Sequence, residues 1–249
     1  MRIERFIQTW GTVIVVDAAA DDLDEVALNV AVDKVERFFL EVNENFSTYI
    51  PTSQVSMLRA GSMEIDEASA DVLEVWSLCW YARQLTLGAF DPWVVEGGFD
   101  PSGIVKGWAS EKAAEMLLSD GVTQLLINAA GDLVLRGGAP WQISVTAPED
   151  AQKSLKTFDV VDGAVATSGD YERGAHIRDP HTGLIAIGAR SASVIGPNGA
   201  IADALATALM VDGRDAQKWM GREELSDYSY WVLNRDDETA WSYGPISGR

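Results

Sequence analysis

Cysteine is almost absent: Cys79 is the one cysteine in 249 residues, so no intrachain disulfide can form. It falls in the apolar run Trp76 to Tyr81, where a thiol reads as a small buried hydrophobe. Basic residues are also scarce, with 19 Lys and Arg against 38 Asp and Glu and a formal charge of −19. Binding a nucleic acid requires a basic face to neutralise phosphates, so that partner is not expected. The same balance disfavours anionic membrane surfaces and, at first sight, any phosphate-bearing ligand. Long hydrophobic runs are missing as well. Val13 to Val16 is too short for a signal core or a membrane span, and Met1 to Trp10 has no basic segment leading into an apolar stretch. No membrane insertion and a cytoplasmic location are therefore expected, although a chain trimmed of a leader would read the same. Repeats, low-complexity tracts and linkers are not evident. What is present is an ordinary apolar share, 47%, in a chain long enough to bury a packed core.

The apolar spacing outlines the elements. Thr12 to Val16 is β-branched and reads as a strand. Leu23 to Phe46 carries apolar residues at helical spacing, with acids at Asp21 and Asp22 to favour its start. Ser47 to Pro51 breaks that helix, and a second is expected from Ala68 to Leu87, ended by Gly88. Gly88, Pro92, Gly97, Gly98, Pro101, Gly103 and Gly107 mark residues 88–107 as loop, with helix resuming from Trp108 to Leu118. Short strands follow at Gln124 to Ile127, Leu133 to Leu135 and Trp141 to Val145. Asp162-Gly163 between Phe158–Val161 and Ala164–Thr167 is a hairpin signal. Ser191 to Ile195 reads as strand, Gly199 to Val211 as a small-residue helix closed by Asp212-Gly213, and Tyr228 to Leu233 with Thr239 to Tyr243 as a terminal hairpin. Helices early and strands later favour an α+β class over a doubly wound sheet. A single compact domain over residues 1–249 is expected, with helices in the first half and antiparallel strands in the second.

Several segments could carry chemistry. On the helix GAIADALATALMV, Asp203 and Thr207 are spaced i, i+4 and share one face among small apolar neighbours. A hard cation such as Mg²⁺ would use both oxygens; alternatively, Thr207 bonds back to its own helix and Asp203 caps or pairs locally. Both histidines, His176 and His181, fall within DYERGAHIRDPHTG, beside Arg173, Arg178 and Asp179. A histidine near a carboxylate can serve as a general base; a plain surface turn is the competing reading. In DPSGIVKGWA, Gly103 and Gly107 bracket Lys106 ahead of a helix, where an anion could approach the backbone, or the glycines could be structural. The turn Asn128-Ala129-Ala130-Gly131-Asp132 could present backbone donors or be an ordinary loop.

Taken in order, these segments resemble the ApbE family of FAD:protein FMN transferases. TWGT (Thr9 to Thr12), FSTYIPTSQVSMLR (Phe46 to Arg59), GAFDP (Gly88 to Pro92), DPSGIVKGWA (Asp100 to Ala109), INAAGD (Ile127 to Asp132), VATSGDYER with HIRDPHTG, and SVIGPNGAIADALATAL each look like the corresponding family motif, from Trp10 to Gly213. The resemblance implies Mg²⁺-dependent transfer of the FMN part of FAD to a threonine of an acceptor protein, with release of AMP. Hydrolysis of FAD to FMN and AMP at the same site, or non-catalytic flavin binding, are its alternatives. It implies that Tyr49 and Ala89-Phe90-Asp91 contact the flavin, and that Asp100, Lys106, Ile177 and Trp10 contact FAD. Gly103 through its carbonyl, Asp203 and Thr207 would hold Mg²⁺, and His176 is the implied base. This chain departs from the family pattern at Trp10 (a family Met), at Pro101 and Ser102, at Val105 (a family Ala) and at Ala130 (a family Gly). If position 130 needs positive φ, its alanine costs about 1 kcal/mol.

Overall fold

The computed structural model describes residues 1–138, 140–147, 150–170, 177–237 and 239–245. The chain opens with two antiparallel strands, β1 (Arg2–Thr9) and β2 (Thr12–Ala19). Strand β1 was not expected. Its segment RIERFIQT mixes charges with apolar residues because it is an edge strand, with Phe6 and Gln8 outward and Ile7 and Thr9 inward. Helix α1 (Glu25–Phe46) follows, capped by Asp24, whose side chain accepts from Ala27 N–H. It buries Leu28, Val32, Val35, Phe39, Val42 and Phe46 along one stripe. A short α2 (Gln54–Arg59) and then α3 (Ala70–Leu85) complete the first helical group.

Helix α4 runs Ser102–Ser119, which corrects the expectation that residues 88–107 are all loop. The two glycines that suggested loop lie inside the helix because its neighbours leave no room for side chains. A Cβ on Gly103 would stand 2.9 Å from the Phe90 ring, and one on Gly107 would overlap the Gly199 carbonyl. Pro101 is the N-cap, and one residue ahead of it Asp100 Oδ1 accepts from Ser102 N–H at 3.0 Å.

The remaining elements are β3 (Gln124–Ala129), β4 (Asp132–Arg136), β5 (Trp141–Ala147), β6 (Asp150–Val160), β7 (Gly163–Gly169), β8 (Ser191–Gly196), α5 (Gly199–Asp212), β9 (Ser229–Leu233) and β10 (Ala240–Tyr243). The main sheet has eight strands, ordered β1-β2-β3-β4-β7-β8-β9-β10 and antiparallel throughout. Strands β5 and β6 pair only with each other among the described residues. The Asp162-Gly163 hairpin is therefore corrected: this turn is a corner between sheets. Asp162 Oδ1 accepts from Gly137 N–H at 2.7 Å and pins the corner beside the end of β4.

Two cores result. Helices α1, α4 and α5 cover one face of the main sheet over Val134, Ala164, Ala166, Val194 and Val232. The β5–β6 pair covers the other face over Leu135, Val165, Ile195, Trp231 and Leu233. Alternate residues of one strand thus serve opposite cores, as the strand period of two requires. The α+β class holds, and strands lead as well as follow the helices. Among the described residues no helix is long and apolar enough to cross a membrane.

Candidate active site at the crossing of α4 and α5

Helices α4 and α5 cross at their glycines. Gly107 lies against the Gly199–Ala200 backbone, and this approach brings the polar side chains of both helices together. Asp203 is buried, and Lys106 Nζ lies 3.4 Å from its Oδ2. Thr207 Oγ1 lies 3.5 Å from where a Gly103 Cβ would stand, and Ser168 Oγ on β7 lies 3.5 Å from the same hydroxyl. The i, i+4 face read from sequence is therefore turned toward Gly103 and Lys106.

Lys106 also pairs with Asp132, at the start of β4. Asp132 Oδ1 accepts from Thr167 N–H at 3.3 Å. Burial disfavours the charged form of Lys106, but the carboxylates of Asp132 and Asp203 more than offset it and raise its pKa above the ordinary lysine value. Asp132 was not among the expected site residues. It stands last in a turn whose polar character was visible, but its burial beside a lysine on another element was not. Ser168 was missed for the same reason.

Two adjoining pockets open here. One is lined by Ala89, Phe90, Asp100, Lys106, Asp203 and Thr207, among others. Gly103, Asp91 and Ile177 also line it. The second, about 400 Å³ and more apolar, is walled by Trp10, Val42, Phe46, Tyr49 and Val105. Asp100, Ser102 and Lys106 border both. Every expected site residue within the described set thus lines one of two connected hollows. His176, the implied base, lies outside the described residues. Ile177 belongs to no strand, and Arg178 forms an isolated antiparallel bridge with Ile185.

Some expected contacts are already engaged within the protein. Asp91 Oδ2 accepts from Arg83 at 2.5 Å and its Oδ1 from Trp93 N–H at 3.0 Å, so its carboxylate ties the 91–93 turn to α3. Asp179 holds its turn by accepting from His181 N–H and the Thr182 hydroxyl, both at 2.8 Å. Trp10 sits at φ 55° in the β1–β2 turn and donates its indole N–H to the Phe39 carbonyl at 3.2 Å. Tyr49 is 94% exposed at the rim of the second pocket. Ala130 lines the first pocket at φ 55°, followed by Gly131 at φ 96°.

The oxygens facing the first pocket suit a hard divalent cation. Among the described residues no three His, Cys, Asp or Glu side chains gather as a ligand set. A cation would rely on one carboxylate, one hydroxyl and a main-chain oxygen, the mixture that Mg²⁺ takes while leaving positions for phosphate oxygens.

The sequence profile of the ApbE family matches residues 96–229, more than half of the chain. The chain belongs to the ApbE family. Residues of its TWGT, GAFDP, DPSGIVKGWA and ADALATAL segments line the two pockets. A FAD:protein FMN transferase of Vibrio cholerae is 36% identical over 162 residues, which cover 59% of this chain and 48% of that protein. One of Escherichia coli is 31% identical over 139 residues, covering 50% and 40%. The matched region spans less than half the length of these relatives. Among solved structures, the ApbE protein of Thermotoga maritima superposes with a TM-score of 0.84 at 22% identity, covering 97% of this chain and 96% of that one. The flavin transferase ApbE of Vibrio cholerae superposes at 0.82 and 23%, covering 99% and 98%. At these identities the superpositions establish the shared ApbE fold.

Proposed function

We propose that this chain, as one domain over residues 1–249, transfers the FMN part of FAD to a threonine of an acceptor protein and releases AMP. The observation that carries the reading is the meeting of Asp203, Thr207, Gly103 and Lys106 at the α4–α5 crossing, under two joined pockets able to take the two ends of a dinucleotide. The names of its ApbE-family relatives support it. Asp203, Thr207 and the Gly103 carbonyl would hold Mg²⁺, which supplies charge neutralisation at the pyrophosphate.

Trp10 and Tyr49 line the second pocket and Ala89, Phe90 and Ile177 the first, giving apolar walls for the rings of FAD. Lys106, held by two carboxylates, places a positive charge between the pockets and offsets phosphate charge as it builds. The acceptor hydroxyl forms a new O–P bond at the FMN-side phosphorus while the bridging P–O bond breaks, and AMP departs with the bridging oxygen. His176 receives the hydroxyl proton in this scheme. Phosphoryl transfer depends mainly on positioning and charge, which is what these residues offer.

The test is incubation with FAD, Mg²⁺ and a candidate acceptor. Flavin fluorescence that stays on the acceptor band in a denaturing gel is the expected result. AMP release without it makes the enzyme an FAD pyrophosphatase, and neither product leaves a flavin-binding protein. Asp203→Asn is expected to abolish Mg²⁺-dependent transfer with an unchanged circular dichroism spectrum; full activity in that variant refutes the metal assignment. Chelation with EDTA should weaken FAD binding as well as turnover, because a chain of charge −19 needs a counter-charge for a pyrophosphate.

A further inference from the structure

Two matched stripes run along the crossing helices. On α4, Gly103, Gly107 and Glu111 follow at i, i+4 and i+8; on α5, Gly199, Asp203 and Thr207 do the same. Their contacts run in opposite order. Gly103 lies by Thr207, Lys106 by Asp203, and Gly107 by Gly199. Beyond the glycine contact, Glu111 Oε1 accepts from the Gly199 N–H at 2.7 Å. Its other oxygen pairs with Arg136 on β4. Arg136 Nη1 in turn donates to the carbonyls of Leu135 at 2.8 Å and Gly163 at 2.9 Å. A single, largely buried carboxylate thus joins α4, the first residue of α5, the end of β4 and the start of β7.

The glycine contact lets the backbones touch and leaves no room for a Cβ, so it favours one register, and Glu111 adds a directional bond across the same crossing. A slip of one residue along an α-helix is about 1.5 Å and turns each side chain by about 100°. That would carry Asp203 away from Lys106 and Thr207 away from Gly103. Glu111 is the side chain of α4 that grips the first residue of α5.

We propose that Glu111 is a positioning residue: by accepting from the Gly199 N–H, its carboxylate sets the register in which α4 presents Gly103 and Lys106 to Asp203 and Thr207. The proposal rests on the metal reading given above, since its consequence is the affinity of that cluster for a divalent cation.

The experiment is calorimetric titration of the full chain with MgCl₂, with thermal unfolding recorded on the same samples. Glu111→Gln keeps an amide oxygen that can accept from Gly199 but loses the charge toward Arg136. Glu111→Met fills similar volume and accepts nothing. The expected result is Mg²⁺ binding within about threefold of the parent for Gln and at least tenfold weaker for Met, although both lower the unfolding temperature. A merely structural ion pair predicts equal effects of Gln and Met. Equal Mg²⁺ affinities in all three proteins, or equal losses in both variants, overturn the proposal. If the Met variant does not fold, Glu111→Asp, which retracts the carboxylate by one methylene, is expected to weaken binding at least threefold, and unchanged binding overturns it. Asp203→Asn separates the two readings: Mg²⁺ binding that survives it removes the metal assignment and this proposal together. If Asp203→Asn abolishes binding and Glu111→Met leaves it intact, only the role of Glu111 falls.

Discussion

At the scale of single residues, the two most informative positions are an alanine and a carboxylate. Ala130 was legible as a departure, since a glycine is the family residue there, and its φ of 55° shows that the turn does require the left-handed region. An L-residue there pays for a Cβ crowded against the following carbonyl. Ala130→Gly relieves that crowding against a smaller loss from the freer unfolded chain. It is expected to raise stability by about 0.5–1 kcal/mol in urea unfolding, while Ala130→Val lowers it. Asp132, by contrast, could be read only as the end of a polar turn. What makes it part of the site is burial against Lys106, a residue on another element. Nothing local to residues 128–132 encodes that meeting. Asp203 and Thr207 were legible as a pair because the helix period alone puts i and i+4 on one face.

Elements show where local rules gave way to packing. Helices α1, α3 and α5 fall close to their expected bounds because their caps and apolar stripes are local. The first turns of α4 were not legible, because Gly103 and Gly107 signal a loop unless the close approach of Phe90 and α5 is known. Gly107→Ala is expected to destabilise the fold by about 1–3 kcal/mol or more, as overpacking does, and to lower the urea midpoint. Gly61, with nothing near its built Cβ, is a poor control because its φ is 66°. The pair that ties α4 to β4 has a pH signature. Burial raises the pKa of Glu111 above the usual carboxylate value, and Arg136 and the Gly199 N–H only partly reverse this. Between the unfolded and folded values the folded chain holds a proton that the unfolded chain has lost. The Glu111 contribution is thus fully present below the unfolded pKa and declines as pH rises through the folded one. The stability of Glu111→Gln relative to the parent should therefore increase across that window, measured by urea unfolding at successive pH values. A flat or falling difference contradicts the assignment.

For the molecule as a whole, the charge of −19 has two consequences. Self-repulsion opposes the compact state, and salt screens it. Raising NaCl from about 20 mM to about 300 mM should raise Tm by about 2–4 °C, equivalent to about 1 kcal/mol at this chain length. A fall in Tm would mean that surface ion pairs such as Arg2–Asp17 and Lys34–Asp120 outweigh the repulsion. The second consequence is at the site, where Lys106 stands among carboxylates, so that the proposed pyrophosphate ligand would need further positive charge. By itself the sequence determined the α+β class, the spans of three long helices, the shared face of Asp203 and Thr207, and the acidic balance. Each follows from spacing or composition within one stretch of chain. Only the tertiary structure decided where α4 begins, that the chain turns at Asp162 from the β5–β6 pair into the main sheet, and that a buried Asp132 and half-buried Glu111 and Arg136 surround the α4–α5 crossing. Those facts depend on contacts between residues far apart in sequence, and local periodicity carries no record of which distant backbone will occupy the space beside a glycine.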